Sequence, residues 1–298
     1  RSAKKPTSRH RAAAPTASAL QRRRPMDRFH DRQHVWLRSC VHGTYLNADS
    51  DGKSVSLRQR RESLKAAWAV HIYQGDVPYL LLYSAAYGRY LAATATPAPL
   101  AHLGFRAEQR DYDQPVVPAI GGRYLRANGK HTSKYLRWNN GVTMDDVDNV
   151  STMMHWTVEP IPLRGPDMPQ PGFAAPIPSR IPRDLSVMLG RERGVWRLIR
   201  FVRASAEGEY AEDGNGWTEF QFRGRYVYHL RNELAKRINA EVHLFELAMC
   251  VRAGRYGRLI PLVVNLPHGR NGETLQIVLC LSRTPAYDEL RHPDVYSQ

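Results

Sequence analysis

Residues 122–127 read GRYLRA, and nearly the same word occurs twice earlier in the chain, as GTYLNA at 43–48 and GRYLAA at 88–93. Three copies of one short word within about 80 residues indicate an internal repeat. Strand-like segments precede the first two words, VWLRSC at 35–40 and YLLLYSA at 79–85, as is typical of strands that lead into a glycine turn. We therefore predict that each word is the corner of a β-hairpin.

A second signal lies downstream of each word, where an aromatic residue stands two places before an apolar one. The aromatic residues are Trp68, Phe105 and Trp156. We expect them on the buried faces of strands, because a large ring contributes much apolar area to a core. Hairpin, loop and aromatic strand, repeated three times, predict a three-fold all-β barrel with a hairpin cap. This is a β-trefoil, and we place it at residues 26–162.

The third unit departs from this pattern in its lead-in. The segment QPVVPAIG at 114–121 contains Pro115 and Pro118, and proline removes hydrogen-bond donors from a strand. We therefore expect the third trefoil unit to be incomplete. Its interior continues with KYLRWNNG at 134–141, which is typical of a strand followed by an Asn-Asn-Gly turn.

The C-terminal third of the chain has a different pattern of apolar residues. Two alternating strands, WRLIRFVRA at 196–204 and WTEFQFRG at 217–224, precede a segment with helical apolar spacing at 226–238. A hairpin about Gly254–Gly257 and the apolar strand LQIVLCLS at 275–282 follow. This order of elements predicts a smaller α+β domain with a ubiquitin-like β-grasp fold.

Composition divides the chain further. Residues 160–182 hold eight prolines, which is typical of a semi-rigid linker. The first 25 residues carry eight Lys/Arg and no Asp/Glu, a composition that predicts disorder. The predicted organisation is a basic leader at 1–25, a β-trefoil at 26–162, a linker at 163–194, a β-grasp domain at 195–284 and a tail at 285–298.

Charge and cysteine content bear on partners and compartment. The leader supplies about half of the formal net charge of +15, so nucleic acid is not the favoured partner. No apolar run approaches the roughly 20 residues of a membrane helix, and we expect no membrane partner. Three widely spaced cysteines favour a reducing compartment, hence a cytoplasmic location. The Arg, Ser and Ala bias of the leader is also that of an organelle transit peptide, which leaves a nuclear or organellar location open.

The sequence lacks the common catalytic and phosphate-binding motifs, so we expect no enzyme, no cofactor and no metal site. The candidate binding groups are basic and aromatic residues on turns, which bind acidic surfaces, phosphates or sugar faces. The alternative is that they are solvated turn residues. The candidates are Arg89, Arg123, Lys134, Tyr135, Arg137, Trp138, Arg255 and Arg258.

Long segments of the chain resemble the plant domain-of-unknown-function-569 proteins. The resembling segments are MDRFHDRQHVWLRS (26–39), AAWAVHIY (66–73), LLLYSAAYGRYLAAT (80–94), GFRAEQRDYDQP (104–115), GGRYLRAN (121–128), YLRWNNGV (135–142), NVSTMMHWTVEPIP (149–162) and, in the second half, RFVRA, FQFRGR, LRNELA and MCVRAGRYGRLIPLVV. The resemblance implies a fascin-like β-trefoil with an associated ubiquitin-like domain. The departure lies between Gln114 and Gly121, where similar family members carry a longer insertion with a further strand.

The family label "actin cross-linking" implies a non-catalytic binding or scaffold protein with a protein partner, F-actin being the named candidate. The alternative is a module of plant stress or defence signalling that binds a glycan or a small molecule. The segment SRTPAYDELRHPDVYSQ at 282–298 contains no glycine, so the ubiquitin-like domain is expected to dock partners and not to be conjugated. It could instead merely pack on the trefoil.

Overall fold

The structure is a computed structural model, and its strands form two sheets. It describes residues 29–74, 79–99, 102–113, 123–128, 141–165, 168, 195–212, 215–238 and 246–297. The first sheet lies within residues 34–161 and the second within 196–281. Most of the predicted linker lies outside the described residues. No described helix is long and apolar enough to cross a bilayer.

Within the described residues, the first sheet contains ten strands. They are β1 (His34–Ser39), β2 (Tyr45–Ala48), β3 (Val55–Arg58), β4 (Ala67–Tyr73), β5 (Tyr79–Ser84), β6 (Tyr90–Pro97), β7 (Phe105–Arg110), β8 (Arg123–Asn128), β9 (Gly141–Asp146) and β10 (Trp156–Ile161). Their order is β10-β1-β2-β3-β9-β7-β6-β5-β4, with β8 on β9. Because β4 also pairs with β1, the sheet closes into a barrel.

The first two repeat words form hairpin corners of one geometry. The N–H of Gly43 donates to the carbonyl of Ser39 at 2.8 Å, and that of Gly88 donates to the carbonyl of Ser84 at 2.8 Å. The two glycines have φ angles of 64° and 71°, in the left-handed region that favours glycine. The predicted corners are thus confirmed for these two words. The glycine of the third word, Gly122, lies outside the described residues.

Two tryptophans mark the first and third units as copies of each other. The indole N–H of Trp68 donates to the carbonyl of Leu46 at 3.1 Å, and that of Trp156 donates to the carbonyl of Leu125 at 2.8 Å. Leu46 and Leu125 hold the same place in their repeat words. Trp68 is fully buried and Trp156 is half-buried. In both units the indole hydrogen bond joins the fourth strand to the hairpin of the same unit.

The aromatic residue predicted for the second unit is not equivalent to these tryptophans. Phe105 begins β7, which pairs with β6 as β3 pairs with β2, so it stands on the third strand of its unit. Among the described residues, unit two has no fourth strand and unit three has no first strand. Residues 114–122, which hold the lead-in of the third unit, lie outside the described part, so the expected incompleteness of that unit stays a prediction.

In the described part of the second domain, a sheet of five strands packs with one long helix. The elements are β11 (Trp196–Arg203), β12 (Thr218–Arg223), α1 (Val227–Ile238), β13 (Leu247–Arg252), β14 (Leu259–Pro261) and β15 (Glu273–Leu281), followed by the short helix α2 (Pro285–Asp288). Their order is β12-β11-β15-β13-β14, with β11 and β15 parallel at the centre. The apolar face of α1 is buried through Val227, Leu230 and Leu234, as its spacing predicted. This is the β-grasp arrangement.

One apolar cluster contains residues of both domains. Trp36, Tyr83 and Tyr90 of the trefoil belong to the same buried cluster as Val251 and Ile260 of the β-grasp sheet. Burial of apolar area from both sides stabilises their association. The two domains therefore pack as one body across this surface.

The tail also returns to the trefoil. After α2, the N–H of Asp294 donates to the carbonyl of Pro162 at 2.8 Å, and the backbone N–H of Arg164 donates to the carbonyl of His292 at 2.9 Å. Val295 is 4% exposed within the shared apolar cluster. The predicted tail is thus part of the packed structure up to this point.

Candidate functional site

The side chain of Arg89, in the second corner turn, lies between the two domains. Its Nε stands 3.3 Å from Oδ1 of Asp111, its Nη1 donates to the carbonyl of Gly52, and its Nη2 pairs with Glu273 at the start of β15. Only 15% of the side chain is exposed. Arg89 thus binds carboxylates of its own chain, which contradicts an outward-facing binding role.

Arg123 holds the same place in the third word and packs on the trefoil. Its Cζ lies 4.1 Å from the centroid of the Phe105 ring, and its Nε lies 3.3 Å from Oδ1 of Asp146. About a third of this side chain stays exposed, 30%. The remaining candidates of the trefoil, Lys134, Tyr135, Arg137 and Trp138, lie outside the described residues.

The hairpin of β13 and β14 presents Arg255 and Arg258 to the trefoil. The N–H of Arg258 donates to the hydroxyl of Tyr90 at 3.1 Å, and its guanidinium lies 3.4 Å from Oδ2 of Asp31. The N–H of Arg255 donates to Oδ1 of Asp113 at 3.1 Å, whereas Arg255 itself remains exposed. Of the two predicted binding residues, Arg258 thus pairs with the trefoil, whereas the side chain of Arg255 stays in solvent.

The backbone of Tyr112 is clasped by the same hairpin. Its N–H donates to the carbonyl of Ala253 at 2.9 Å, and its carbonyl accepts from the N–H of Tyr256 at 2.8 Å. Between them, Gly254 has a φ of 85°, and a Cβ there would stand 2.5 Å from the Tyr112 nitrogen. Only a residue without a Cβ lets the two backbones approach so closely.

A cleft of about 510 Å³ opens beside this clasp. The trefoil lines one wall with His34, His71 and Tyr112, and the β-grasp domain lines the other with Arg252 and Tyr256. This volume lies within the range of small-molecule sites. Because each domain supplies one wall, the site exists only in the packed two-domain structure.

Arg252 is the unusual group in the cleft. It is 5% exposed, and its Nε has no hydrogen-bond partner within the described residues. Its Nη2 donates to the carbonyl of Arg255, and its Cζ lies 5.7 Å from the centroid of the Tyr210 ring. No described carboxylate forms an ion pair with it. A buried guanidinium without a counter-charge is costly, and an anion in the cleft would compensate it.

His34 is a second buried polar group of the cleft. It is 2% exposed, and neither ring nitrogen has a hydrogen-bond partner in the described part of the chain. Burial lowers the pKa of His34 to about 4, and His292 nearby acts in the same direction. The ring is therefore neutral at pH 7, with one nitrogen free to donate and the other free to accept.

Aromatic rings form a continuous surface from the trefoil to the hairpin. The Tyr90 and Tyr112 centroids lie 4.9 Å apart, and those of Tyr112 and Tyr256 lie 5.8 Å apart. Nδ1 of His71 and the Tyr90 hydroxyl form a hydrogen bond of 2.9 Å behind this surface. Burial lowers the pKa of His71 below its usual value, with a smaller contribution from Arg258. The cleft thus combines aromatic rings with charged and polar side chains.

The described residues contain no group of three or more His, Cys, Asp or Glu side chains suited to a metal ion. The sequence analysis singled out Arg255 and Arg258 of this hairpin but not Arg252, His34 or Tyr112. Arg252 had a visible signal in the basic hairpin around it. His34 and Tyr112 had none, because their importance arises from the contact between domains.

Two family models match the chain. One, described as a beta-trefoil domain of unknown function (DUF569), matches residues 26–115, and another, described as a DUF569 associated ubiquitin-like domain, matches residues 195–280. Together with the strand order, they define a β-trefoil joined to a ubiquitin-like domain. The chain belongs to the DUF569 family that carries this associated domain. The trefoil match ends at residue 115, close to where the described strands of unit two stop.

No curated protein matches the sequence. A solved Caenorhabditis elegans structure, titled as a protein with unknown function, aligns with 43% of this chain and 93% of its own. The two sequences are 12% identical over that alignment, and the TM-score is 0.33. A likeness at this level carries no argument about function.

Proposed function

We propose that the protein is a non-catalytic binding protein and that a small organic anion is its ligand, held in the cleft between the two domains. Arg252 carries this proposal, because its buried guanidinium lines the cleft without a carboxylate partner among the described residues. A ligand anion would supply the missing counter-charge and a hydrogen-bond acceptor for the Nε–H.

The construction of the cleft supports the same proposal. A volume of about 510 Å³ accommodates a small organic molecule, and the walls combine tyrosine rings with arginine, glutamate and histidine side chains. Since the walls come from different domains, the ligand would strengthen the contact between them. Binding would therefore stabilise the packed form of the chain.

Isothermal titration calorimetry on the full chain tests the proposal. The probes are cinnamate, 3-cyclohexylpropanoate and phenyl phosphate, with the neutral cinnamyl alcohol as reference. We expect saturable binding of at least one anion and at least tenfold weaker binding of the alcohol. Recovery of each probe unchanged, by mass spectrometry, tests the non-catalytic part. Saturable binding of none of the anions overturns the proposal.

Substitutions locate the binding. Arg252→Gln removes the buried charge and is expected to abolish binding, with circular dichroism to verify folding. Arg106→Gln changes an exposed arginine on β7, outside the cleft, and is expected to bind as the unchanged chain does. Equal affinity in all three proteins would place the anion elsewhere.

The F-actin hypothesis remains a separate prediction. Arg89, Arg255 and Arg258 face the domain contact or the cleft, and Arg123 keeps a partly exposed guanidinium on the trefoil. Co-sedimentation of the full chain with actin filaments at physiological salt tests it. Recovery of the protein only in the supernatant would remove the actin partner.

A further inference from the structure

We infer that the ligand of the interdomain cleft is a hydroxylated aromatic carboxylate with a single negative charge. The inference rests on the proposed function and adds three properties to it: the number of charges, the ring and the hydroxyl group. Each property follows from a different set of cleft residues.

The charge follows from the ionic groups around the cleft. Five arginines and three glutamates line it, and Asp31 pairs with one of the arginines, Arg258. With neutral histidines, these groups leave one positive charge uncompensated. The three glutamates, Glu207, Glu212 and Glu289, are exposed. As exposed groups they are well solvated, like the exposed arginines, so the buried guanidinium of Arg252 defines the charge to be compensated, and a carboxylate with one negative charge fits better than a phosphate dianion.

The position of that charge is also defined. Arg252 is the buried arginine of the set, whereas Arg32, Arg255 and Arg291 are exposed. An exposed guanidinium is well solvated and contributes little to holding an anion. The planar guanidinium of Arg252, in contrast, is suited to the two oxygens of a carboxylate.

The ring follows from the tyrosines. Tyr256 is 43% exposed at the hairpin and lies in ring contact with Tyr112. Tyr73 and Tyr210, both half-buried, line the same cleft. Flat apolar faces around one volume favour an aromatic ligand, because offset-stacked or edge-to-face rings gain more than area burial alone.

The hydroxyl follows from His34. Both of its ring nitrogens lack partners in the described residues, although the side chain is almost fully buried and lines the cleft. A hydroxyl group can donate to the unprotonated ring nitrogen or accept from the protonated one, so it can pair with whichever nitrogen of His34 faces the cleft. A site built for a hydroxyl discriminates strongly against a ligand that lacks it, since its polar atoms then stay unpaired.

A graded series of ligands tests the inference by calorimetry on the full chain. The series is 4-hydroxycinnamate, cinnamate, 3-cyclohexylpropanoate and phenyl phosphate. We expect 4-hydroxycinnamate to bind at least tenfold more tightly than cinnamate. Cinnamate in turn should exceed 3-cyclohexylpropanoate and phenyl phosphate by several-fold.

Two substitutions assign the preferences to residues. His34→Leu should reduce the tenfold advantage of 4-hydroxycinnamate over cinnamate to about one while leaving cinnamate binding in place. Tyr256 lies at the exposed rim of the cleft, and Tyr256→Leu should remove the preference for aromatic over cyclohexyl acids. Tyr124→Leu, an exposed tyrosine of β8 outside the cleft, is the matched control and should change neither ratio.

The outcomes separate this inference from the proposed function. Equal affinity for all organic anions, or tightest binding of phenyl phosphate, would overturn the inference and leave the anion site standing. Loss of the hydroxyl preference in Tyr124→Leu, or its persistence in His34→Leu, would also overturn it. Absence of binding across the whole series would overturn both.

Discussion

Arg89, the residue that follows the glycine of the second trefoil corner, forms an ion pair with Glu273, the first residue of the β15 strand in the other domain. The side chains are 15% and 21% exposed, so solvent screens the pair only in part. One repeat word of the trefoil is thereby tied to the central strand pair of the ubiquitin-like domain. The same chain offers a matched position, Arg123, whose partner Asp146 belongs to the trefoil itself.

Replacing Arg89 by Gln should therefore destabilise the domain contact. We expect a loss of about 2 kcal/mol in the free energy of unfolding, because Asp111 loses its partner and Glu273 keeps, among the described residues, only its ion pair with Arg197. Arg123→Gln removes an exposed pair and should cost below about 1 kcal/mol. Urea denaturation of the three proteins measures the difference. Equal losses in both variants would contradict the interdomain role of Arg89.

Gly254 offers a test of the backbone clasp around Tyr112. A Cβ added there would stand 2.5 Å from the nitrogen of Tyr112, in addition to the strain of a φ of 85°. We expect Gly254→Ala to cost about 3 kcal/mol. Gly216 has a φ of 80° and nothing within 4 Å of an added Cβ, so Gly216→Ala should cost only about 1 kcal/mol. Similar midpoints of thermal unfolding for the two variants would argue against the close approach.

The shared apolar cluster predicts that the two domains unfold together. We expect calorimetry of the full chain to show one transition, because separation of the domains would expose Tyr83, Tyr90, Val251 and Ile260. Residues 26–162 and 195–297, produced as separate chains, should each unfold at a lower temperature than the whole protein. Two transitions in the full chain, each matching one fragment, would show that the packing contributes little.

The buried histidines predict loss of stability in mild acid. Burial lowers the pKa of His34 to about 4 and that of His292 to about 4, with Arg164 contributing at His292. An unfolded histidine has a pKa of about 6.5, so below that value the unfolded chain binds more protons. Stability is thus fully present above pH 6.5 and declines as the pH falls toward 4, by about 3 kcal/mol for His34.

Urea midpoints at pH 7.5, 6, 5 and 4.5 measure this decline. His34→Leu should flatten the dependence, whereas His229→Gln, at an exposed histidine of α1, should leave it unchanged. A slope that is identical in all three proteins would assign the acid sensitivity to other groups.

Much of the fold is encoded locally. The repeated Gly-spacer-Tyr-Leu word requires a left-handed glycine and a returning strand wherever it occurs, and Gly43 and Gly88 adopt that geometry. Likewise, the helical spacing of Val227, Leu230 and Leu234 defines the buried face of α1. Phe105 shows the limit of this reasoning. Like each tryptophan, Phe105 stands two places before an apolar residue in the sequence. The strand pairing nevertheless places Phe105 on the third strand of its unit, whereas the tryptophans lie on fourth strands.

The sequence by itself determined the two domain types and the corner turns at Gly43 and Gly88, because each depends on residues close together along the chain. Only the tertiary structure decided what the arginines do. Arg89 and Arg123 occupy identical positions in one word, yet one meets Glu273 across a domain contact and the other meets Asp146 in its own domain. The unpaired state of Arg252 and His34 likewise depends on groups far away in sequence, since burial and charge compensation are properties of the packed chain and not of a local pattern.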